Sequence, residues 1–332
     1  MTRIRSTTPG LYPLPDWAKD DLADLKGHQK EDLVDGDEAG EIAEAYGRAR
    51  TEVIDGQRDA GLDLTVEGQL RWDDMLAHPL AVHDAVETRG IVRYYDNNNF
   101  YREPVVTDEL TPDGDVAEEL TAAAELVDDG LQAVLPGPYS LAGLATDEYY
   151  GDTATFLSGV AEFLEAEAAA FPAVETLFLL EPSLVTAPPE NDGAAERASA
   201  AIDTVADAVD ADVVVHTYWG ALDEAVHAHV LDADVDAIGY DLVSAPEDSL
   251  YLVQEYGTAD NVALGLVDSQ NTLVESPETI RERIEWFRDG VPATDLDTIY
   301  ATANTELFYL PVNKFEAKLE ALAAVGATEV PA

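Results

Sequence analysis

The chain has 332 residues, with 68 acidic and 18 basic side chains and a formal charge of −50. Hydrophobic residues make up 46% of it, which is enough for a full core and excludes an acidic disordered tail. A charge of this sign also excludes a nucleic-acid binder or a binder of anionic membranes, because both need clustered Lys and Arg.

The acidic residues are spread along the chain, and only five of the 18 basic residues are Lys. About 50 like charges repel strongly in dilute salt, whereas molar salt shortens the screening length to ~3 Å. We interpret the charge as adaptation to a salt-loaded, halophilic cytoplasm rather than as evidence of function. No apolar run reaches the ~18 residues of a membrane span, so we expect a cytoplasmic protein.

The chain contains no cysteine. Disulfides, thiolate catalysis, and zinc or iron–sulfur sites held by cysteine are therefore excluded.

Eight short β-prone runs alternate with longer stretches that favour helices. Several runs, such as 176–180 and 262–267, are apolar throughout, which is typical of strands buried on both faces of a parallel sheet. The alternation predicts an α/β fold with a single (βα)8 TIM barrel over residues 1–332, and a doubly wound open sheet is the alternative. The predicted strands are Thr2–Pro9, Leu62–Glu67, Leu131–Pro138, Glu175–Glu181, Ala211–Thr217, Val235–Leu242, Val262–Asp268 and Thr298–Ala303.

The stretches between the strands are rich in Ala, Glu, Leu and Arg, which favour helices. Ser276 followed by Pro277 predicts a helix start, with Ser as the N-cap and Pro at the first helical position. The predicted helices are Glu38–Arg58, Val116–Asp129, Ala154–Ala170, Ala194–Val209 and Pro277–Arg288.

One segment interrupts the alternation between the second and third barrel strands. Two aromatic, β-prone arms flank an Asp-Asn-Asn-Asn turn and predict a hairpin insertion at about residues 91–106. An insertion after a barrel strand projects over the C-terminal face, where barrel active sites lie.

Polar side chains follow several of the predicted strands and would meet at that face. Three carboxylates are the candidates for catalysis, with an acid–base pair as one reading: Glu181, Asp241 and Asp268. The candidate ligand-binding residues are Glu67, Tyr95, Asp96, Asn98, His216, Tyr218, Trp219, Asn271 and Glu306. Salt bridging, capping and core packing are the competing explanations for these residues.

Histidines offer no metal site of their own. His216 ends an apolar run and reads as a base, a ligand or a packed core residue. His227 and His229 are two apart on a predicted helix, so they face different ways, and we expect both on the surface.

The strand-end motifs, in this order, resemble the cobalamin-independent methionine synthase family. The resemblance runs from about Thr8 to the C-terminus. It is carried by Thr7–Pro13, Gly137-Pro138, Leu180-Glu-Pro-Ser-Leu184 and Val267-Asp-Ser-Gln-Asn271. Full-length members of that family have two barrels related by duplication. The C-terminal barrel holds a zinc ion that activates the homocysteine thiolate, and the N-terminal barrel lacks zinc and helps hold methyltetrahydrofolate.

The nearer resemblance is to the zinc-free N-terminal barrel, here as a stand-alone chain of haloarchaeal type. Four segments carry it: Arg93-Tyr-Tyr-Asp-Asn-Asn98, Thr217-Tyr-Trp-Gly220, Ile238-Gly-Tyr-Asp-Leu-Val243 and Ala301–Pro311. The family's zinc is held by a His, two Cys and a Glu. Of these only His216 remains, and the other positions carry Tyr218, Thr305 and either Gly239 or Tyr240.

The resemblance implies methionine biosynthesis by homocysteine methyl transfer, with a methylated tetrahydropterin as the donor substrate. Because the zinc ligands are not retained, it implies no metal in this chain and a zinc-bearing methionine synthase homologue as its partner. Two alternatives remain open: a non-catalytic binding or scaffolding barrel, and a barrel enzyme with metal-free acid–base chemistry.

Thermal unfolding in potassium chloride tests the interpretation of the charge. Raising the salt from about 0.1 M to molar concentration screens the repulsion among surface carboxylates, so we expect the melting temperature to rise on the order of 10 °C. Circular dichroism at each salt concentration measures it. An unchanged melting temperature would contradict the interpretation.

Overall fold

A computed structural model describes residues 2–23, 40–326 and 329–330. Its strands, in chain order, are Thr2–Ser6 (β1), Thr65–Val66 (β2), Val86–Arg93 (β3), Phe100–Val106 (β4), Leu131–Pro136 (β5), Thr146–Asp147 (β6), Thr176–Leu180 (β7), Asp212–His216 (β8), Ala237–Asp241 (β9), Asn261–Val267 (β10), Thr298–Ala303 (β11) and Glu329–Val330 (β12).

Eight of these strands run parallel in one curled sheet, in the order β1, β11, β10, β9, β8, β7, β5, β2. Each coincides with a predicted strand. The two edges of the sheet approach each other, because the backbone N–H groups of Asp63 and Leu64 both donate to the carbonyl of Ser6 at 3.2 Å. This arrangement is consistent with a (βα)8 barrel. β12 adds to the sheet by antiparallel pairing with β1.

The interior of the sheet is apolar, as the sequence runs predicted. Every residue of β5 and β7 is buried, and in β8 and β10 only the first residue is partly exposed. Strands of a parallel sheet covered on both faces have this pattern.

The helices connect successive strands and cover the sheet. They are Asp16–Leu22, Gly40–Ala60, His78–Ala81, Asp115–Ala124, Pro138–Leu144, Thr153–Ala169, Ser183–Thr186, Asp192–Ala206, Glu224–Leu231, Pro246–Tyr256, Pro277–Gly290 and Val312–Ala323, with a 3-10 turn at Met75–Ala77. The predicted cap at Ser276 is confirmed, since its side chain accepts the backbone N–H of Thr279. Of the predicted helix 38–58, residues 38 and 39 lie outside the described residues.

Between β2 and β5, β3 and β4 pair antiparallel from Val86 opposite Val106 to Arg93 opposite Phe100. The paired strands therefore begin at Val86, five residues before the predicted segment 91–106. β4 also pairs parallel with β6 at Val105 and Thr146. The Tyr95 hydroxyl lies 2.8 Å from the Ser183 hydroxyl, so the turn of this pair packs on the loop after β7.

A buried ion pair fixes the loop after β10. The Lys318 ammonium, from the last helix, is fully buried and lies 2.7 Å from Glu275 Oε2 and 2.6 Å from the Leu273 carbonyl. The other oxygen of Glu275 accepts the Asp268 N–H at 3.0 Å. Two buried charges thus hold the loop that carries Asp268 and Asn271.

Replacing Lys318 by Met should destabilise the fold by about 3 kcal/mol, because the buried Glu275 loses its counter-charge. Denaturant unfolding in molar salt measures the change. Lys314→Met is the matched control: this part-exposed lysine of the same helix should change stability by less than about 0.5 kcal/mol. Equal effects of the two substitutions would refute the role of the pair.

Candidate functional site

Four carboxyl groups lie buried at the C-terminal ends of the parallel strands, at the end of the curled sheet that we call the mouth. Glu67 follows β2, Glu181 follows β7, Asp241 ends β9 and Glu306 follows β11. A buried carboxylate needs hydrogen-bond donors or a counter-charge, and without them it takes up a proton. The donors available to each carboxyl therefore indicate what it can do.

Glu181, which follows β7, is hydrogen-bonded to the segment that follows β5. Its oxygens accept the backbone N–H groups of Tyr139 and Ser140 at 2.9 and 2.8 Å and the Ser140 hydroxyl at 2.6 Å. Burial raises its pKa to about 7 although these hydrogen bonds lower it. A Cβ on Gly137 would lie 2.2 Å from the Glu181 carboxyl, so only glycine permits this approach.

Asp241 is the most fully hydrogen-bonded of the four. It accepts the backbone N–H groups of Trp219, Val243 and Ser244 at 2.8–2.9 Å, and the Asn304 amide lies 3.3 Å away. Donors from three loops therefore converge on one carboxylate. This geometry positions the loops and leaves Asp241 little capacity for a substrate proton.

Glu67 lies in a cluster of charged side chains at one side of the mouth. Its Oε2 accepts the Gln69 N–H at 2.7 Å, and Oε1 lies 3.6 Å from Arg50. Arg50 also pairs with Glu119, as does Arg71. Burial and the charge of Glu119 raise the pKa of Glu67 to about 7, and Arg50 opposes the rise.

Asp268 and Asn271 stay near the surface. Asp268 is half-buried and accepts the Gln270 N–H at 2.9 Å, whereas Asn271 is exposed and accepts the Leu273 N–H at 2.9 Å. Both side chains shape their own loop. A role of either in binding or catalysis stays a prediction.

The turn between β3 and β4 sends its side chains in two directions. Tyr94 is fully buried and Tyr95 packs against the loop after β7, but Asp96 and Asn98 are exposed. Asp96 pairs with Arg93 at 2.6 Å in solvent. Tyr94 and Tyr95 therefore join the buried groups at the mouth, and the structure does not bring Asp96 or Asn98 to them.

The side chains at the positions that the resemblance assigns to the family's zinc do not have the chemistry of zinc ligands. The Nε2 of His216 lies 2.9 Å from the Asn304 carbonyl and must carry a proton to donate to it. Burial lowers the pKa of His216 to about 4, so the ring is neutral, and a Cβ on Gly239 would lie 2.3 Å from its Nδ1. Tyr218 and Thr305 offer hydroxyls where thiolates would bind. Across the described ranges, no cluster of three or more His, Cys, Asp or Glu could hold a metal ion.

Glu306 differs from the other buried carboxyls. It is fully buried, and within the described part of the chain its oxygens and the hydroxyls of Tyr94 and Tyr218 make no hydrogen bond of normal geometry. Burial raises the pKa of Glu306 to about 7, although weak hydrogen bonds from its own backbone N–H and from the hydroxyls of Tyr218 and Tyr94 lower it.

Aromatic rings surround this group. Trp219 contacts Tyr218, Tyr95 and Tyr94, with ring centroids 4.8, 4.9 and 6.1 Å apart. Tyr95 and Trp219 both have left-handed backbone conformations, with φ of 45° and 67°. Such conformations are costly for residues with a bulky side chain and concentrate at functional sites.

A recess of about 360 Å³ lies beside the mouth, against the helices Pro138–Leu144 and Thr153–Ala169. Its phenol hydroxyls are already bound to the wall, each at 2.8–2.9 Å: Tyr95 to Ser183, Tyr101 to the Leu144 carbonyl and Tyr139 to the Ala187 carbonyl. The rest of the lining combines apolar residues such as Leu144, Phe156 and Leu157, which suit a flat ring, with the Arg93–Asp96 pair, so the predicted ligand residue Asp96 lies at this recess.

The sequence missed two features of this region. The prediction that His227 lies on the surface is wrong: it is fully buried, and its Nε2 lies 3.0 Å from the Tyr240 hydroxyl. The helix Glu224–Leu231 packs against the helices Asp192–Ala206 and Pro246–Tyr256 and directs His227 toward Tyr240 of β9, and a two-residue spacing cannot show which face is buried. Tyr94 was not predicted as a polar group, because no local pattern shows that its hydroxyl reaches Glu306.

Within the described residues, no helix is both long and apolar enough to cross a bilayer.

Solved structures show the same fold. The chain is similar to a B12-independent methionine synthase from Shewanella, with a TM-score of 0.77, 18% identity, and coverage of 97% of this chain and 96% of that one. A putative B12-independent methionine synthase from Listeria monocytogenes gives 0.68 at 17% identity, covering 98% and 96%. A methyltransferase from Methanosarcina mazei gives 0.59 at 10% identity, covering 97% and 94%.

Curated relatives and a family model point to the same family as the solved structures do. A methionine synthase from Saccharolobus solfataricus is 24% identical over 292 residues, which cover 86% of this chain and 84% of the relative. One from Sulfurisphaera tokodaii is 23% identical over 290 residues, covering 86% and 81%. The model of the cobalamin-independent synthase catalytic domain matches residues 27–301. The chain therefore belongs to the cobalamin-independent methionine synthase family.

Proposed function

We propose that this chain is the zinc-free subunit of a two-chain homocysteine methyltransferase, working beside a zinc-bearing homologue. The observation that carries the proposal is the donor set at the family's zinc positions. No cysteine exists in the chain, and the only histidine there donates its Nε2 proton to the Asn304 carbonyl. A family member with this mouth needs another chain to activate a thiolate.

The donor we propose is a methylated tetrahydropterin or a similar one-carbon carrier. The aromatic recess beside the mouth supports this choice, because its volume suits a bicyclic ring and its hydroxyls are already satisfied. Stacking on Tyr95 or Tyr139 would hold such a ring by its faces.

The hydrogen-bonding of the buried carboxyls argues against the acid–base alternative. Glu181 and Asp241 accept three or more hydrogen bonds each from loop backbone and side chains, and Asp268 is half-exposed. A general base needs a free lone pair within reach of the substrate proton. We therefore assign Glu181 and Asp241 a positioning role in the loops that form the mouth.

Reconstitution tests the two-chain proposal. The purified chain is mixed with a zinc-bearing homologue from the same cells, and methionine formation from homocysteine and methylated tetrahydropterin is measured in molar salt. We expect activity from the mixture at least about tenfold above the zinc-bearing chain alone, and none from this chain alone, because thiolate activation and donor positioning lie on different chains. Equal activity with and without this chain would contradict the proposal.

Tyr139→Ala probes the donor recess in the same assay. Loss of the ring should raise the KM for the methylated pterin by about fivefold, because stacking contributes on the order of 1 kcal/mol, and should leave the KM for homocysteine unchanged. Tyr251→Ala is the matched control, since that tyrosine is exposed on the helix Pro246–Tyr256. A parallel rise in both KM values would place the donor elsewhere.

A further inference from the structure

We infer that Glu181 is a positioning residue for ligand binding in the recess beside the mouth: its hydrogen bonds hold in place the segments that carry the recess walls. The inference deepens the proposed function and rests on it, since the recess is the site proposed for the flat ring of the donor. It adds that the ionisation of one buried acid controls that site.

Two hydrogen-bonded routes lead from Glu181 to the recess. The shorter route reaches Tyr139, because Glu181 Oε1 accepts the Tyr139 N–H at 2.9 Å. The longer route runs through the Ser140 hydroxyl, which donates to Glu181 Oε2 at 2.6 Å and accepts the Ser183 N–H at 3.0 Å. The Ser183 hydroxyl in turn lies 2.8 Å from that of Tyr95. Tyr139, Ser183 and Tyr95 all line the recess, so one carboxyl is connected to wall residues on three separate segments.

The two ends of these routes are sterically constrained. A Cβ on Gly137 would lie 2.2 Å from the Glu181 carboxyl, so the backbone before Tyr139 approaches this group as closely as it can. At the other end, Tyr95 and Asp96 both have left-handed backbone conformations, with φ of 45° and 55°. Residues hold such a conformation only while the surrounding contacts fix it, and the Tyr95 hydroxyl makes one of those contacts. Loosening the longer route should therefore release the Tyr95 side of the recess.

The donors around Glu181 suit its ionised form. Three hydrogens point at its two oxygens: the N–H groups of Tyr139 and Ser140 and the Ser140 hydroxyl. A carboxylate accepts all three, whereas a protonated carboxyl adds a hydrogen of its own. A proton on Oε2 would be donated to the Ser140 hydroxyl oxygen, which already accepts the Ser183 N–H. The Ser140 hydrogen would then have to turn away from Glu181, and the longer route would be rearranged.

Ligand binding in the recess should therefore depend on pH. Burial raises the pKa of Glu181 to about 7, although the three hydrogen bonds lower it. The other titratable or charged side chains that face Glu181, its hydrogen-bonded partners or the recess are Tyr95, Tyr139, Glu190, His216, Arg93 and Asp96. Burial raises the pKa of both tyrosines and lowers that of His216 to about 4, so these three stay neutral between about pH 5.5 and 8. Because the ionised form of Glu181 keeps the walls in place, the affinity for a neutral ring should rise with pH through about 7 and then level off.

Saturation-transfer NMR with quinoxaline in molar potassium chloride tests the inference. This flat bicyclic ring is neutral across the pH range used, so a change in its affinity comes from the protein. We expect the wild type to bind it at least about fivefold more tightly at pH 8 than at pH 5.5. Tyr139→Ala should remove most of the binding, because it removes a wall of the recess. Absence of binding, affinity that is independent of pH, or unchanged binding in Tyr139→Ala would overturn the inference.

Two variants separate positioning from a purely structural role. Glu181→Gln keeps the shape but turns an amide N–H toward a backbone donor, so the quinoxaline affinity at pH 8 should fall about tenfold and lose its pH dependence. Ser140→Ala keeps the carboxyl and removes the hydroxyl of the longer route, so we expect a loss of about threefold. Glu162→Gln and Ser158→Ala are the matched controls, since both residues are exposed on one neighbouring helix, and they should change nothing.

Thermal melting shows which variants fold, and affinity is compared only among those. Wild-type affinity in Ser140→Ala, or in Glu181→Gln if it folds, overturns the inference, because Glu181 then stabilises the fold without positioning the recess. If Glu181→Gln does not fold, the result for Ser140→Ala decides.

Competition with a methylated tetrahydropterin separates this inference from the proposed donor. Displacement of quinoxaline from the wild type, with weaker pterin binding in Glu181→Gln, supports both. Quinoxaline binding that responds to Glu181→Gln but not to added pterin contradicts the donor and leaves the positioning role intact. Equal displacement by the pterin in the wild type and Glu181→Gln, at equal affinity, keeps the donor and overturns the positioning role.

Discussion

The structure of the mouth depends on one physical constraint, which is that several carboxyl groups there are buried away from water. Each buried acid must find donors, find a cation or keep its proton. Asp241 finds four donors, Glu181 finds three and Glu67 lies beside Arg50. Their oxygens fix the loops, and the loops in turn place the aromatic rings. Among the described residues, Glu306 alone of the four makes no hydrogen bond of normal geometry, and its pKa is raised to about 7 by burial.

The fold could be predicted because it depends on patterns that are local in sequence. Apolar runs such as 176–180 and 262–267 are buried on both faces of the sheet, and each predicted strand coincides with an observed one. Alternation with helices then leaves few ways to arrange eight parallel strands. The antiparallel pair β3–β4 begins at Val86 rather than at 91, because Glu87, Thr88 and Arg89 are polar residues and show no apolar signal.

The site could be predicted only as far as strand ends determine it. Glu181 directly follows a strand and Asp241 ends one, so both had to lie at the C-terminal face, and they do. Which oxygens would be satisfied could not be predicted, because their donors come from other loops: Ser140 for Glu181, and Trp219 for Asp241. Asp96 and Asn98 have the same local chemistry as buried ligands, yet they face solvent because the turn directs Tyr94 inward instead.

The surface charge and the buried acid act over different distances. A charge of −50 would draw cations toward every face of the protein in dilute salt. In molar salt the screening length falls to ~3 Å, so the surface carboxylates lose their reach and cannot favour one ligand over another. Charges that are buried are screened far less. Recognition of a ligand at the barrel mouth must therefore come from buried groups such as Glu181, Asp241 and Glu306, which act at contact distance and are withdrawn from the solvent ions.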